Sequence, residues 1–215
     1  MRLIITFAAA CIVLAGCDAA PADNVKTNAK PAAATPTTIK RAITASFDCA
    51  RARGQAQELV CGDAGLAAMD REVARLSGLA MEPAAQADWE QQRDTCDKAD
   101  ELRQCVMAAA MLKIHRLRQG SEAARAGEQL SVGPVTYSCQ RFAGPILATF
   151  VTGSVGAVAL EWGEQAIAID QVNAASGAKY EGRWNGQPYG FWSKAKEATF
   201  TLPGKGDLQC RERTG

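Results

Sequence analysis

Two short segments near the end of the chain combine hydroxyl, amine and aromatic side chains. The first has the sequence Ser-Gly-Ala-Lys-Tyr over residues 176–180, and the second has Tyr-Gly-Phe-Trp-Ser-Lys over residues 189–194. The Ser176 hydroxyl both donates and accepts hydrogen bonds, and Lys194 carries a positive charge. Taken separately, the segments are explained as a turn entering a strand and as a strand whose aromatic residues pack a core.

Nucleophilic catalysis is a poor explanation for these side chains. An activated serine needs a general base, and His115, the one histidine of the chain, belongs to an earlier part of the sequence. A serine–lysine pair would still need an oxyanion site, which the sequence does not reveal. We therefore expect no catalytic residues and no enzyme activity.

The cysteines indicate structural disulfides rather than metal or redox chemistry. After Cys11 and Cys17, which fall in the N-terminal segment described next, the remaining cysteines are Cys49, Cys61, Cys96, Cys105, Cys139 and Cys210. None of them forms a Cys-x-x-Cys motif, and the chain has one histidine. Zinc, haem and thioredoxin-like sites therefore lack their ligands, so we expect no metal and no cofactor. An even set of six predicts disulfides in an oxidising compartment, although many pairings are possible.

The first residues resemble the signal sequence of a bacterial lipoprotein. The apolar run from Leu3 to Leu14 follows Arg2 and is shorter than the roughly 20 residues that span a bilayer. It ends in Leu-Ala-Gly-Cys over 14–17, which resembles a lipobox. The resemblance implies a signal peptide over 1–16 and a lipid anchor on Cys17, at the periplasmic side of the envelope. The alternative is an ordinary signal peptide that is cut elsewhere. Asp18, directly after the lipid cysteine, resembles an inner-membrane retention signal of some bacteria. Because the meaning of this signal differs between bacterial groups, the choice between the inner and the outer membrane stays open.

Residues 17–45 are predicted to be a disordered linker behind this lipid anchor. Ala, Pro, Thr, Asn and Lys dominate the segment, and it offers little apolar surface to bury. The net charge of the whole chain is +1, which gives no reason to expect nucleic acid as a partner.

Residues 46–120 are predicted to form a small helical domain. Leu66, Met69, Val73 and Leu76 recur at intervals of three and four, which puts them on one helix face. Gly62-Asp63 suits a helix cap and Gly120 suits a helix end. A unit of this size needs cross-links, and Cys49 with Cys61 and Cys96 with Cys105 are the economical local pairs.

This segment resembles the LprI-type domains of bacterial envelope proteins. The resemblance rests on Phe-Asp-Cys at 47–49, Val-Cys-Gly-Asp-Ala-Gly-Leu at 60–66 and Met-Asp-Arg-Glu at 69–72, followed by Trp89, Gln92-Arg93-Asp94, Cys96 and Cys105. Some such domains are associated with lysozyme inhibition, and no catalytic set comes with them. We interpret Asp70, Arg71 and Glu72 as a solvated helix face or local ion pairs, and His115 as a surface residue of the last helix.

Residues 134–215 change to a period of two, which predicts strands. Val158, Leu160 and Trp162 alternate with smaller or polar residues, and further short runs follow, with turns that mostly contain glycine. About eight short antiparallel strands in a small domain indicate a β-barrel or closed sandwich. Cys139 lies in the first strand and Cys210 in the last, so a disulfide between them would join the ends. The predicted fold is therefore α+β, a disulfide-linked helical bundle followed by an eight-stranded antiparallel β-barrel.

The two segments with which we began resemble, when taken together, the signature of the MliC/PliC family of periplasmic inhibitors of c-type lysozyme. That signature is Ser-Gly-x-x-Tyr followed by Phe-Trp-x-Lys-Gly-x-x-Ala, framed by an early and a late cysteine. The resemblance implies c-type lysozyme as the partner. It also implies that a loop with Ser176 enters the catalytic cleft, supported by Lys194. The lysozyme-binding residues it implies are Ser176, Gly177, Lys179, Tyr180 and Lys194, with Tyr180 and Trp192 holding the loop and strand mainly by packing.

Two departures from the family pattern bear on this implied site. Ala195 stands where the family has glycine, and a Cβ atom there penalises a positive φ. The stretch from Glu181 to Gly190 is longer than usual and includes Trp184 and Pro188. The alternative function is a non-enzymatic envelope module that binds another protein or a cell-wall fragment. The sequence leaves the oligomeric state and the role of the helical domain open.

Overall fold

The computed structural model describes residues 43–126 and 129–213, which fall within one compact unit. Two 3₁₀ turns cover Cys49–Arg51 and Cys96–Lys98, and the α-helices are α1 (Gln55–Gly62), α2 (Ala64–Leu79), α3 (Pro83–Thr95), α4 (Leu102–Gly120) and α5 (Glu122–Arg125). The strands are β1 (Ser131–Cys139), β2 (Pro145–Val151), β3 (Ala157–Trp162), β4 (Gln165–Val172), β5 (Ala178–Trp184), β6 (Gln187–Lys194), β7 (Glu197–Leu202) and β8 (Gly206–Glu212). The predicted α+β fold is confirmed.

The N-terminal predictions lie outside the described residues. These are the signal peptide over 1–16, the lipid site at Cys17 and most of the linker over 17–45. In the described part of the chain, no helix combines the length and the apolar character needed to cross a bilayer.

The helices form a bundle around an apolar core that includes Leu66, Met69, Val73, Leu76 and Trp89. Asp63 caps α2, as expected, because its Oδ1 accepts hydrogen bonds from the backbone N–H groups of Gly65 and Leu66 at 2.9 and 3.1 Å. Two disulfides, Cys49–Cys61 and Cys96–Cys105, cross-link the bundle at the predicted pairs.

The acidic residues of α2 are buried, so their interpretation as a solvated face was wrong, whereas the alternative of a local ion pair holds for Glu72 with Arg75. Asp70 is fully buried and accepts hydrogen bonds from the Ser46 N–H and the Trp89 indole, at 2.5 and 2.8 Å. Glu72 is also buried, and it accepts from Arg75 at 2.8 Å and from the Ser131 hydroxyl at 2.5 Å. Burial raises the pKa of Glu72, but the hydrogen bonds from Arg75 and Ser131 outweigh it and hold the pKa below its ordinary value. Apart from Arg75, which follows Glu72 by three residues, these partners lie far away in the sequence, so no local pattern indicates them.

The strands form a closed antiparallel barrel in sequence order, with β8 pairing back to β1. Its interior is filled by the inward members of each alternating pattern, among them Val158, Leu160, Ile167 and Ile169. The Cys139–Cys210 disulfide lies across the β1–β8 pair, whose register makes these two cysteines direct neighbours. The first strand begins at Ser131, earlier than residue 134, where the sequence predicted the strand region to start.

Helix α4 packs on the outside of the barrel wall. The outward members of β3 and β4 in this region are Ala157, Ala159 and Ala168, all fully buried and part of the core formed with the helices. Because alanine has a small side chain, the helix backbone can approach the sheet closely. The helices therefore cover one side of the barrel. The division into domains over 46–120 and 134–215 stays a sequence-based prediction.

His115, a residue of α4, is buried between this helix and the barrel, which corrects its interpretation as a surface residue. Its side chain is 1% exposed. Its Nδ1 lies 2.8 Å from the Thr149 hydroxyl on β2, and its Nε2 lies 3.2 Å from the Glu161 carboxylate on β3. Burial lowers the pKa of His115 below its ordinary value of 6.5, although Glu161 acts in the opposite direction.

We expect this histidine to make folding stability depend on pH. Because the folded pKa is lowered, the unfolded chain takes up the proton first as the pH falls through about 6.5. The contribution of His115 is therefore complete above that pH and decreases as the pH falls towards its folded pKa. His115→Gln, which cannot titrate, should lose less stability than the wild type between about pH 7 and 5 in urea denaturation. Equal losses in the two proteins would contradict this assignment.

Candidate functional site

Ser176 lies in the exposed loop between β4 and β5, at one end of the barrel. Since each strand is antiparallel to the next, this loop and the turn between β6 and β7 open at the same end. Ser176 is exposed, and its hydroxyl forms no hydrogen bond within residues 43–126 and 129–213. The hydroxyl is therefore free to bind a partner.

Gly177 brings this loop into close contact with strand β6. Its φ is +69°, and a Cβ atom built on it would lie 2.3 Å from the Ser193 carbonyl oxygen and 3.3 Å from the Lys194 Cβ. A glycine is required here both for the left-handed backbone and for the space. The contact sets the Ser176 loop directly beside Lys194.

Trp192 ties the same loop to β6 through a hydrogen bond. Its indole N–H donates to the Ser176 carbonyl oxygen at 2.9 Å. The indole is 43% exposed, because residue 192 points outward from β6 whereas Phe191 points into the barrel core. The core-packing explanation therefore holds for Phe191 and not for Trp192. The family resemblance implies that Trp192 holds the loop mainly by packing. In the structure, Trp192 also holds the loop by this hydrogen bond.

Lys194 and Lys179 differ in what they can offer. The Lys179 ammonium lies 2.6 Å from the Glu181 carboxylate, so its charge is already paired. Lys194 is exposed, and no carboxylate of the described residues lies within 4.0 Å of its ammonium. Glu197, its cross-strand neighbour, instead accepts from Arg211 at 2.8 Å. Lys194 thus presents a charge beside the Ser176 loop that no described carboxylate pairs with.

Tyr180 is buried in the barrel core and reaches no partner from outside. It is 2% exposed, and its ring centroid lies 5.8 Å from that of Phe150. Burial raises the pKa of Tyr180 to about 12. The family resemblance suggested two roles for Tyr180, direct contact with lysozyme and packing behind the loop. Its burial fits the packing role, in which Tyr180 fixes the start of β5 behind the loop.

Ala195 adopts the left-handed conformation that its position demands. It begins the two-residue turn between Lys194 and Glu197 with a φ of +53°. A Cβ atom in this region is strained by roughly 1–2 kcal/mol, and glycine is not. The positive φ at this position therefore explains why the family has glycine where this chain has Ala195.

Ala195→Gly should raise the free energy of unfolding by about 1 kcal/mol, because it relieves this strain. Urea denaturation of the two proteins measures the difference. The matched control is Lys196→Gly in the same turn, where φ is not positive. There the added chain entropy should lower stability by roughly 0.5–1 kcal/mol. If both glycines shift stability in the same direction, the strain at Ala195 is not the cause.

The described residues offer no arrangement for metal chemistry. Within 43–126 and 129–213, no three His, Cys, Asp or Glu side chains gather where they would hold a metal ion. The site instead presents a free hydroxyl, an unpaired ammonium and a half-exposed indole on a braced loop and strand. These groups can form hydrogen bonds with carboxyl groups of a binding partner and offer a positive charge to them.

The sequence grouped Ser176, Gly177 and Lys194 in one motif, and the structure places Gly177 against Lys194; their role in binding a partner stays a prediction. The indole-to-loop hydrogen bond and the Lys179–Glu181 pair were not anticipated. The alternation of β6 was the available signal for Trp192, because it requires neighbours Phe191 and Trp192 to face opposite sides.

Comparisons with known proteins agree with both parts of the chain. Residues 137–209 match the family model described as membrane-bound lysozyme-inhibitor of c-type lysozyme. The lipoprotein LprI of Mycobacterium bovis is 32% identical over 146 residues, which cover 63% of this chain and 70% of that protein. Lipoprotein LprI of Mycobacterium tuberculosis, from strains CDC 1551 and H37Rv, gives the same identity and coverage. No solved structure matches the chain.

Proposed function

Because this chain belongs to the family of the lipoprotein LprI, and its barrel matches the lysozyme-inhibitor model, we propose that it is an envelope lipoprotein that inhibits c-type lysozyme. The observation that carries the proposal is the site at the end of the barrel. There a free serine hydroxyl and an unpaired lysine stand side by side on a braced loop and strand, inside the matched region.

The proposed mechanism is occlusion of the catalytic cleft by the Ser176 loop. A c-type lysozyme uses two carboxyl groups, one kept protonated by its apolar pocket and one ionised. The Ser176 hydroxyl can donate to the ionised group or accept from the protonated one. The Trp192 hydrogen bond supports this role, because a loop held before binding loses less conformational freedom on binding.

Lys194 has a supporting electrostatic role in this proposal. Its ammonium needs no internal ion pair to be broken before it can approach a carboxylate. In a cleft closed to water, such an attraction is stronger than at an open surface. The barrel segment 134–215 carries eight Lys/Arg and seven Asp/Glu, a net charge of +1. Long-range steering of a cationic enzyme is therefore absent, and the affinity must come from local fit.

The proposed location is the periplasmic side of the envelope, with the lipid anchor on Cys17. Anchoring would keep the inhibitor near the glycan that lysozyme attacks. We also propose that the protein acts by binding alone and has no catalytic activity of its own.

The lysis of bacterial cells by c-type lysozyme tests this function. We expect the purified full-length protein to slow the loss of turbidity in proportion to its concentration, and Lys194→Ala to inhibit about tenfold more weakly. Lys205→Ala, an exposed lysine at the other end of the barrel, is the control and should inhibit like the wild type. An absence of inhibition by the wild type would favour the second candidate, an envelope module for another protein or a cell-wall fragment.

A further inference from the structure

A groove separate from the Ser176 site runs between the helices and the barrel. It has a volume of about 730 Å³, within the range of roughly 300–1,000 Å³ typical of small-molecule sites. One wall is the N-terminal half of α4 together with its cap residue, from Glu101 to Leu112, which is roughly 17 Å long at the helical rise per residue. The other walls are the end of α3, the following 3₁₀ turn and the tip of the β5–β6 hairpin. This tip is the lengthened stretch that departs from the family pattern.

The lining of this groove combines one large aromatic side chain with uncommitted hydrogen-bonding groups. Trp184 is half-buried at the hairpin tip, beside Asn185. The side chains of Gln104, Asn185 and Glu101 form no hydrogen bond or ion pair within the described part of the chain. The floor is made of the Cys96–Cys105 disulfide and small alanines of α4, so no bulky side chain fills the space.

The charge of the lining excludes one class of ligand. Asp100 and Glu101 contribute two carboxylates, and no lysine or arginine of the described residues lines the groove. Phosphates and other anions are therefore repelled. Extended peptides find no free strand edge here, because the barrel is closed. A ligand with many hydroxyl groups and an apolar ring face has the matching chemistry. Its hydroxyls would donate to the carboxylates and exchange hydrogen bonds with the amides of Gln104 and Asn185, and its ring face would stack on Trp184.

We propose that this groove binds a neutral saccharide chain. The hairpin tip and the Ser176 loop are at opposite ends of the barrel, since the β5–β6 and β4–β5 connections lie at opposite ends of strand β5. A chain bound in the groove leaves the loop free. The protein would thus hold glycan and present its inhibitory loop at the same time, which goes beyond the proposed inhibition.

Titration calorimetry of the full-length protein in detergent micelles, with chitotetraose as the neutral probe, tests this site. We expect saturable binding that weakens about fivefold in Gln104→Ala and about tenfold in Trp184→Leu, with oligogalacturonate, an anionic saccharide, binding far more weakly. Gln140→Ala, an exposed glutamine outside the groove, should bind like the wild type.

The inhibition of lysozyme by the same variants separates this proposal from the previous one. Gln104→Ala and Trp184→Leu should keep the melting temperature within a few degrees and inhibit lysozyme like the wild type. If Trp184→Leu is unstable, Gln104→Ala and Glu101→Gln carry the test. The proposal is overturned if chitotetraose does not bind at millimolar concentration. It is equally overturned if the groove variants bind as the wild type does, or if the anionic saccharide binds as tightly.

Discussion

Gly177→Ala should abolish most lysozyme inhibition, by a factor on the order of a hundred or more, while the barrel stays folded. The new Cβ atom would lie 2.3 Å from the Ser193 carbonyl oxygen, a backbone atom that cannot turn aside. The φ of +69° adds strain of roughly 1–2 kcal/mol. The loop must therefore move away from β6, and the Ser176 hydroxyl moves with it. About 3 kcal/mol of lost interaction corresponds to the expected factor.

The matched control for this variant is Gly204→Ala. Gly204 has a similar φ of +77° and lies in the β7–β8 turn at the other end of the barrel. A Cβ atom there meets nothing within 4 Å. Gly204→Ala should lose a similar amount of folding stability, because its Cβ atom is also strained at a positive φ. It should inhibit lysozyme like the wild type. Inhibition constants and circular dichroism melting curves of both variants give the comparison. Full inhibition by Gly177→Ala would show that the position of this loop is unimportant.

Removal of the Cys139–Cys210 disulfide should lower the free energy of unfolding by about 4 kcal/mol. The bond closes a sequence separation of 71 residues, and the chain-entropy estimate for such a loop gives this value. The double variant Cys139→Ala/Cys210→Ala leaves no free thiol. Urea denaturation of this variant and the wild type measures the loss.

The Cys49–Cys61 disulfide provides the comparison for this prediction. Its sequence separation is 12 residues, so Cys49→Ala/Cys61→Ala should cost about 3 kcal/mol by the same relation. The ranking of the two losses tests whether restriction of the unfolded chain dominates. A larger loss for the short loop would point to packing around the bundle disulfide as the main contribution.

Much of the architecture was predictable because it depends on local periodicity. The alternation of Val158, Leu160 and Trp162 identified an inward face of the barrel, and Asp63 was recognised as a helix cap. The outward alanines of β3 and β4 are as consistent with solvent as with a covering helix. Their burial under α4 follows only from the tertiary contact. Local patterns do not reveal which element covers which face.

The buried polar residues show the same limit of prediction from local sequence patterns. Asp70, Glu72 and His115 are charged or titratable residues on helices, where solvent is the usual surrounding. Their burial depends on partners such as Ser131 and Thr149, which belong to distant strands. The candidate site, in contrast, was indicated by two short motifs, because β5 and β6 are neighbouring strands of one hairpin. The groove beside Trp184 was not anticipated, because α3, α4 and the hairpin build it together.

The inhibition constant of Ser176→Ala against a c-type lysozyme tests the central claim most directly. An exposed hydroxyl contributes little to folding, so stability should change by no more than about 0.5 kcal/mol. In the cleft, its loss leaves carboxyl groups underpaired at a cost of roughly 1–3 kcal/mol, or about ten- to a hundredfold in affinity. Ser46→Ala, an exposed serine outside the barrel, ahead of the first 3₁₀ turn, should inhibit like the wild type. Equal inhibition by wild type and Ser176→Ala, measured near the dissociation constant, would contradict the account.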